Sequence, residues 1–595
     1  MPIFIRLTNY KSSEEKERGF FDPKNRFIAK QEVFFKIPGA PIAYWVSDRV
    51  REIFEKSEKL LNNAKFSNGI NTGDNDNFLK LWYEIEYYKI GFNISNFFEA
   101  KNSMKKWFPY NKGGEFQKWY GNNEYLINWE NDGEKIKKFA VIRNKGGHWS
   151  RYLCGMDYHF KESITWSFVS SSNFGIRFKE KGFMFDVGGS SMFPNKKEYF
   201  YYFGAFFNTK ISFYFLKNIN PTLNFQTGNI AKLPIIFPKS EQTKQKIDQL
   251  TEECIDISKE EWDSRETSWD FTKNELLKHK TDGKIETAYE NYCEFWREKF
   301  YKLHQNEEEL NRLFINIYEL QDELTPDVPL EDITILKKEA KIVNGELEFN
   351  KDEIIKQFIS YAVGVMFGRY SLDHEGLRIA DMGASIKEAN EKFDIQNTTF
   401  EIDDDNIIPV LEDEYFSDDI VARFRKFLEI TFGKEHLIEN LNFIQEALGM
   451  DIRKYFYKEF IKDHIQRYKK RPIYWMITSP NKTFQALIYM HRYYPDIFAK
   501  VRNDYLLELI VKLNTQKEYL YNQLDSAISN SEKKKIDKQI KEIEKKLKEL
   551  YEFDKNYLEK YANNLIDINL DDGVKVNYCK FKDILYPISG LCKGK

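Results

Sequence analysis

Around position 238 the chain changes texture, and that change constrains its fold more than any single motif. From 41 to 238, short aromatic and β-branched runs such as 125–129, 164–169 and 182–186 are broken by Gly, Asn and Asp. NDG at 131–133 and KGG at 145–147 read as turns between such runs. A helix is expected over 199–216. Beyond 238 the chain is highly charged. Apolar residues recur there at three- and four-residue spacing in 240–262, 284–322, 351–369 and 417–430, the period of amphipathic helices. The expected fold class is α+β: a mixed, sheet-containing domain followed by a mostly α-helical region.

At 595 residues and 71.2 kDa the chain is expected to be too long for one core and to form three or four domains. The segmentation expected is a short leader at 1–40, the sheet-containing domain at 41–238, a helical domain at 239–400, an acidic connector at 401–419 and a helical region at 420–595. The leader offers a strand at 3–7 and a second around 33–37, a pair too small to stand alone and expected to dock elsewhere. EIDDDNIIPVLEDEYFSDD at 401–419 reads as a solvated connector, because its carboxylates lack metal-ligand spacing. Ile536, Ile540, Ile543, Leu547 and Leu550 step by four, three, four and three, a coiled-coil seam. Leu520, Leu524 and Ile528 form a preceding stripe, so a helical hairpin is expected near 515–565.

Several chemistries find no residues to carry them. The 16 prolines include no adjacent pair, so the (D/N/S)PP(Y/F/W) loop of amino-methyltransferases is missing. Gly188 and Gly189 are a weak candidate for an S-adenosylmethionine turn, and no GxxxxGK(S/T) is present. Pro326 and Asp327 followed by Glu339 and Lys341 imitate a metal-dependent nuclease pattern, but the intervening segment reads as a loop entering a helix. The eight histidines form no HxH or HxxxH pair. The five cysteines lie far apart, which suggests neither a disulfide framework nor a zinc site and suits a reducing cytoplasm. The first residues turn polar after position 7, and no apolar run reaches the length of a membrane span, so a soluble, cytoplasmic protein is expected.

Net charge is only -3, so any nucleic-acid surface must be local. Residues 101–181 carry 15 Lys and Arg against 8 Asp and Glu, interleaved with Trp, Tyr and amides. Lys and Arg neutralise phosphates, while Arg, Asn and Gln can read purine edges. Lys105, Lys112, Arg143, Lys145, Arg177 and Lys179 are the candidate DNA contacts, with Gln117, Asn122, Ser171, Ser172 and Asn173 as weaker candidates for base edges. A solvated face over an aromatic core is the alternative. Thr72, Gly73, Asp74 and Asn75 are expected to shape a turn near that surface. A second basic stretch, 453–472, has eight cations and two acids. It reads either as an amphipathic helix or as a phosphate clamp.

Several stretches together resemble one family. IPGAPIAYWVSDRVREIFE (37–55), NGINTGDNDNFLKLWYE (68–84), KWFPYNKGGEFQKWYGNNEYLINWEN (106–131), TWSFVSSSNFGIRFKEKGFMFDVGGSSMF (165–193) and LNFQTGNIAKLPI (223–235) resemble the target-recognition region of the PglX methyltransferases of bacteriophage exclusion (BREX) systems. ELNRLFINIYELQDELTPDVPL (309–330) and QRYKKRPIYWMITSPNKTFQALIYMHRY (466–493) resemble the helical part of that family. FIRLTNYKS at 4–12 looks like the end of a methyltransferase domain, which makes 1–40 its expected remnant. The resemblance implies the target-recognition and helical half of an adenine-specific DNA methyltransferase in phage defence, not catalytic by itself. It implies double-stranded DNA as ligand and a separately encoded N-terminal half as partner, with other BREX subunits as further partners. That half would carry the NPPY loop and S-adenosylmethionine. The other reading of the residues is a helical module docking defence subunits.

Overall fold

A computed structural model describes residues 2–168, 173–220 and 224–592. The sheet-containing region holds two four-stranded sheets. One has the order Met184–Phe185, Trp107–Asn111, Tyr125–Asn128, Leu79–Leu81, with the first pair parallel and the others antiparallel. The other is antiparallel throughout, in the order Ala64–Ser67, Ser191–Pro194, Ser163–Trp166, Ile176–Lys179. Asn111 joins the two by donating to Thr165 Oγ1 at 2.6 Å and to the Gly189 carbonyl at 3.0 Å.

The strands Trp107–Asn111, Ser163–Trp166 and Ile176–Lys179 are buried at every position. Strands covered on both faces read as continuous runs rather than as alternation. Helix Phe200–Asn208 covers the second sheet, and Gly204 lets it sit close, since a Cβ there would lie 1.9 Å from the Phe178 ring. The single helix expected over 199–216 is two, Phe200–Asn208 and Lys210–Ile219, interrupted at Thr209.

The helical reading beyond 238 is realised as helices Glu241–Asp263, Ile285–Tyr318, Lys351–Met366 and Ile420–Phe432. The hairpin is formed by Leu507–Ser526 and Asn530–Phe553, with Ile536, Ile540, Ile543, Leu547 and Leu550 buried along the seam. Ile528 does not belong to the stripe: it sits in the connection and is 97% exposed. Glu549 ties the hairpin to the rest by accepting from Ser479 Oγ at 2.6 Å and from the Asn481 amide at 2.7 Å. Where separate cores are expected from chain length, one apolar core runs from Ile37 to Leu591 through both regions, because the helices beyond 238 pack directly on the sheet-containing region. A smaller one lies beneath strands Leu79–Leu81 and Trp107–Asn111.

Three expectations are corrected. Strand Ile3–Ile5 pairs with Arg26–Ile28, whereas 33–37 falls in the 3₁₀ segment Gln31–Lys36 and the residue after it. The stretch 401–419 is solvated only in part: Asp404, Glu412, Asp413 and Glu414 are exposed, but residues 406–411 are buried. Asp403 and Asp419 are buried against Arg423 and Arg453, and Ile408–Pro409 adds a strand to the sheet Tyr474–Thr478, Gln485–Tyr489. Carboxylates can enter a core when each meets a guanidinium. Finally, Cys579 and Cys592 form a disulfide, because folding brings their Cα atoms within 5.5 Å across 13 residues. Cys154, Cys254 and Cys293 stay free. No helix among the described residues is long and apolar enough to cross a membrane.

Candidate nucleic-acid interface

The NDG triplet shapes the first part of the interface. Asn131, Asp132 and Gly133 all take left-handed φ values of 52°, 58° and 69° at the start of helix Glu130–Arg143. These are residue types that tolerate this region. The helix ends in Arg143, and the following loop, Asn-Lys-Gly-Gly-His-Trp-Ser-Arg at 144–151, adds Lys145 and Arg151 without an acidic residue. Arg143, Lys145 and Arg151 are exposed, and none forms an ion pair among the described residues. Cations at a helix C-terminus also suit its dipole, and that contribution stands beside any role in binding.

Arg143 is held in place. Its Nη1 donates to Asn71 Oδ1 at 3.0 Å and to the Asn71 carbonyl at 3.3 Å, and its guanidinium lies 4.1 Å from the Tyr152 ring centre. Asn71 begins a loop, Asn-Thr-Gly-Asp-Asn-Asp-Asn at 71–77, in which Asn71, Asn75 and Asn77 are exposed. Thr72 Oγ1 donates to Asn75 Oδ1 at 2.6 Å, and Asp74 caps the short helix Asn75–Phe78 by accepting from the Asn77 amide. The expected turn at 72–75 is present, and it displays amides. These amides lie outside the basic surplus at 101–181, so local charge does not point to them.

The far end of this loop lines a cleft of about 580 Å³. Asn75, Asp76 and Asn77 form one wall; Lys112 and Tyr125 come from the first four-stranded sheet; Lys469, Arg471, Asp571 and Lys575 come from the later part of the chain. Lys469 pairs with Glu124 at 2.5 Å, and Lys575 pairs with Asp76 at 2.6 Å. Lys112 forms no ion pair among the described residues; its ammonium lies 5.2 Å from the Tyr125 ring centre. Burial pulls the Lys112 ammonium below its usual range, against the opposing pull of Asp186 and Asp76. The two basic stretches of the sequence thus supply Arg143 at one end of loop 71–77, and Lys112, Lys469 and Arg471 at the other.

The remaining sequence candidates are placed elsewhere. Arg177 is fully buried, its Nη1 and Nη2 reaching the Gln117 carbonyl at 3.5 Å and Ser167 Oγ at 3.4 Å. Lys179 is equally buried, donating to the Gly121 carbonyl at 2.7 Å and to Asn123. Burial depresses both cations, and neither reaches a docked phosphate in this fold. Both lie on a strand covered on each face, so they hold the loop 117–123 in place. Gln117 is buried too. Asn122 donates to the Glu115 carbonyl at 3.0 Å, Asn173 to Asp332 at 2.9 Å, and Lys105 to the Tyr88 carbonyl. Ser171 and Ser172 lie outside the described residues.

Neither enzyme-like motif finds support. A Cβ at Gly189 would lie 2.5 Å from the Asn111 carbonyl oxygen, and one at Gly188 would lie 3.0 Å from that of Lys112. These glycines make room for the backbone of Asn111 and Lys112, which accounts for them without a cofactor. Glu339 gives both carboxylate oxygens to Arg265 at 3.0 Å, while Lys341 is exposed and pairs with Glu348. Glu339 is thus engaged by Arg265, and among the described residues no group of three or more His, Cys, Asp or Glu is placed to hold a metal ion.

No family model matches the chain. It is 38% identical over 599 residues to the adenine-specific methyltransferase PglX of Lacticaseibacillus casei (strain Zhang), covering 97% of this chain and 48% of the relative. It is 36% identical over 613 residues to the adenine-specific methyltransferase BrxX of Escherichia coli O9:H4 (strain HS), covering 99% of this chain and again 48% of the relative. The chain spans about half the length of the curated relatives it matches. Along nearly all of its own length, it is a relative of the adenine-specific methyltransferases PglX and BrxX.

Proposed function

We propose that this chain is the DNA target-recognition portion of an adenine-specific methyltransferase of the BREX type. The observation that carries the proposal is the exposed, amide-rich loop 71–77, set between Arg143 and a cleft holding Lys112, Lys469 and Arg471. Cations at both ends fix a duplex by its phosphates, and the amides of Asn71, Asn75 and Asn77 reach for base edges between them. Base flipping and methyl transfer from S-adenosylmethionine then belong to the part of the relatives that this chain does not span. That part is the proposed partner, alongside other BREX subunits.

The leader supports a partner. Ile3 and Ile28 stand opposite each other in register and are 63% and 68% exposed, while Phe21 and Phe35 are 67% and 72% exposed. Apolar surface of this kind marks a contact face.

The test is a mobility-shift series on the purified chain over a range of salt, with unmethylated genomic fragments. Binding that weakens steeply with salt supports the reading, and Asn75→Ala with Asn77→Ala should level the preference among fragments while retaining most of the affinity. Absence of any salt-sensitive binding, with the chain alone and with a catalytic half added, would falsify it.

A further inference from the structure

The disulfide between Cys579 and Cys592 stands at the wall of the same cleft, which Cys579 and Leu591 line together with Lys469 and Arg471. Cys579 closes helix Val574–Cys579, whose first amide donates to Glu84 Oε1 at 2.9 Å and so fixes the helix against the first half of the chain. Cys592 closes the strap 587–592. Before the strap, the Tyr586 amide donates to the Met476 carbonyl at 2.8 Å and anchors that point to a strand. Within the strap, the long-range polar contact among the described residues is Lys470 Nζ donating to the Ser589 carbonyl at 3.2 Å. The buried Leu591 side chain, the half-buried Ile588 packed on the core and the disulfide complete its attachment.

That hydrogen bond ties the strap to a basic turn. Lys469 and Lys470 both take left-handed φ values, 51° and 60°, directly before Arg471. Neither is glycine, so the conformation is costly and relies on surrounding contacts. Cys579 and Cys592 are both half-buried, neither being enclosed in the core.

We infer that the Cys579–Cys592 disulfide is a redox latch over the cleft, holding the strap 587–592 and Lys470 in place when oxidised and releasing both when reduced. A dithiol supplies two electrons and two protons: the S–S bond breaks, two thiols form, and the dithiol leaves as its own disulfide. Without the covalent tie, the strap keeps the apolar contacts of Ile588 and Leu591 and the Lys470 hydrogen bond. Lys470 then becomes free to take a phosphate. The cleft's part in DNA binding rests on the function proposed above, whereas the movement of the strap does not.

The experiment compares the full chain, air-oxidised and then treated with dithiothreitol, in thiol titration, limited trypsin digestion and duplex binding. The latch requires three titratable thiols in the oxidised denatured chain and five after reduction. Cleavage after Lys469 and Lys470 should accelerate on reduction. Affinity for duplex should rise by about threefold to tenfold, with one more phosphate contact in the salt dependence. Cys592→Ser should behave as the reduced chain with or without dithiothreitol. Because that variant may lose stability, the wild-type comparison stands on its own. Five free thiols in the oxidised sample overturn the latch, as do identical digestion in both states or a response that persists in Cys592→Ser. If digestion responds while no duplex binds in either state, the latch is upheld and the DNA reading fails.

Discussion

The indole Nε1 of Trp107 donates to Asp571 Oδ1 at 2.9 Å, joining a strand of the first four-stranded sheet to a turn 464 residues later. Lys106 and Lys89 add ion pairs to the same carboxylate at 2.8 and 3.2 Å. Burial alone would raise the Asp571 carboxyl, but the hydrogen bonds from Lys106 and Trp107 and the charges of Lys106 and Lys89 hold it below the usual carboxylate range. One side chain thus fastens both halves of the cleft wall. Asp571→Ala leaves two cations and an indole without their acceptor and should lower unfolding free energy by about 2–3 kcal/mol. Asp571→Asn keeps an acceptor for Trp107 and should cost less. Urea unfolding of the two variants checks the order, and equal stability for all three proteins would show that the contact contributes nothing.

Salt dependence distinguishes exposed cations from buried ones. Each phosphate contact removed lowers the slope of log affinity against log salt by about 0.9. Replacing Arg143, Lys145 and Arg151 together by Ala should therefore reduce the slope by nearly 3. Arg177→Ala should leave the slope unchanged while costing about 2 kcal/mol of stability, since it empties a buried site and removes two weak hydrogen bonds. A slope change with Arg177→Ala and none with the triple variant would reverse the assignment.

Charge and periodicity are local properties, and they made part of this molecule legible. The seam Ile536, Ile540, Ile543, Leu547 and Leu550 could be read directly, because a helix buries one stripe whatever covers it. The basic surplus at 101–181 could be counted, but not the direction each cation faces. Arg177 and Lys179 lie on a strand covered on both faces, where two-residue alternation carries no signal. The acids at 401–419 looked solvated because their partners, Arg423 and Arg453, stand outside that stretch. The Cys579–Cys592 bridge and the meeting of Lys112 with Lys469 depend on the tertiary fold, which no spacing rule reaches. Loop 71–77 is legible in the sequence only as a turn. The role proposed for it rests on the neighbours at its two ends.

Three buried histidines set the acid limit of the fold. Burial pushes His159 down to about 4, even though the Cys154 carbonyl favours its charged form. Burial, reinforced by Arg369, pushes His491 down to about 3. His464 is held well below the usual imidazole range by burial and by Arg467 and Arg369; its Nε2 accepts from the Ile473 and Tyr474 amides at 3.1 and 3.0 Å. Each folded value lies below the unfolded value near 6.5, so the unfolded chain takes up protons first and acid favours unfolding. Stability is complete above about pH 6.5 and falls as pH drops toward 4, by up to about 4 kcal/mol per pH unit when all three contribute. Thermal midpoints measured between pH 7 and pH 5 should fall steeply. A flat profile over that range would mean that these rings are already protonated or exposed.

Gly73 links the recognition loop to its cation. Its φ of +72° favours glycine, and a Cβ there would lie 2.5 Å from Arg143 Nη1 and 2.9 Å from its Cζ. The contacted atoms are the far end of a flexible side chain, so Gly73→Ala can be relieved by moving the guanidinium off Asn71. The substitution should cost about 1 kcal/mol for the left-handed backbone, with little else lost in stability. Its larger effect should fall on binding: Arg143 leaves its seat over Tyr152, and the Asn71 amide loses the partner that orients it. Duplex affinity should fall several-fold, and adding Arg143→Ala to Gly73→Ala should weaken it little further, because both changes remove one interaction. Full additivity of the two would separate the glycine from the arginine and leave Gly73 with the turn alone.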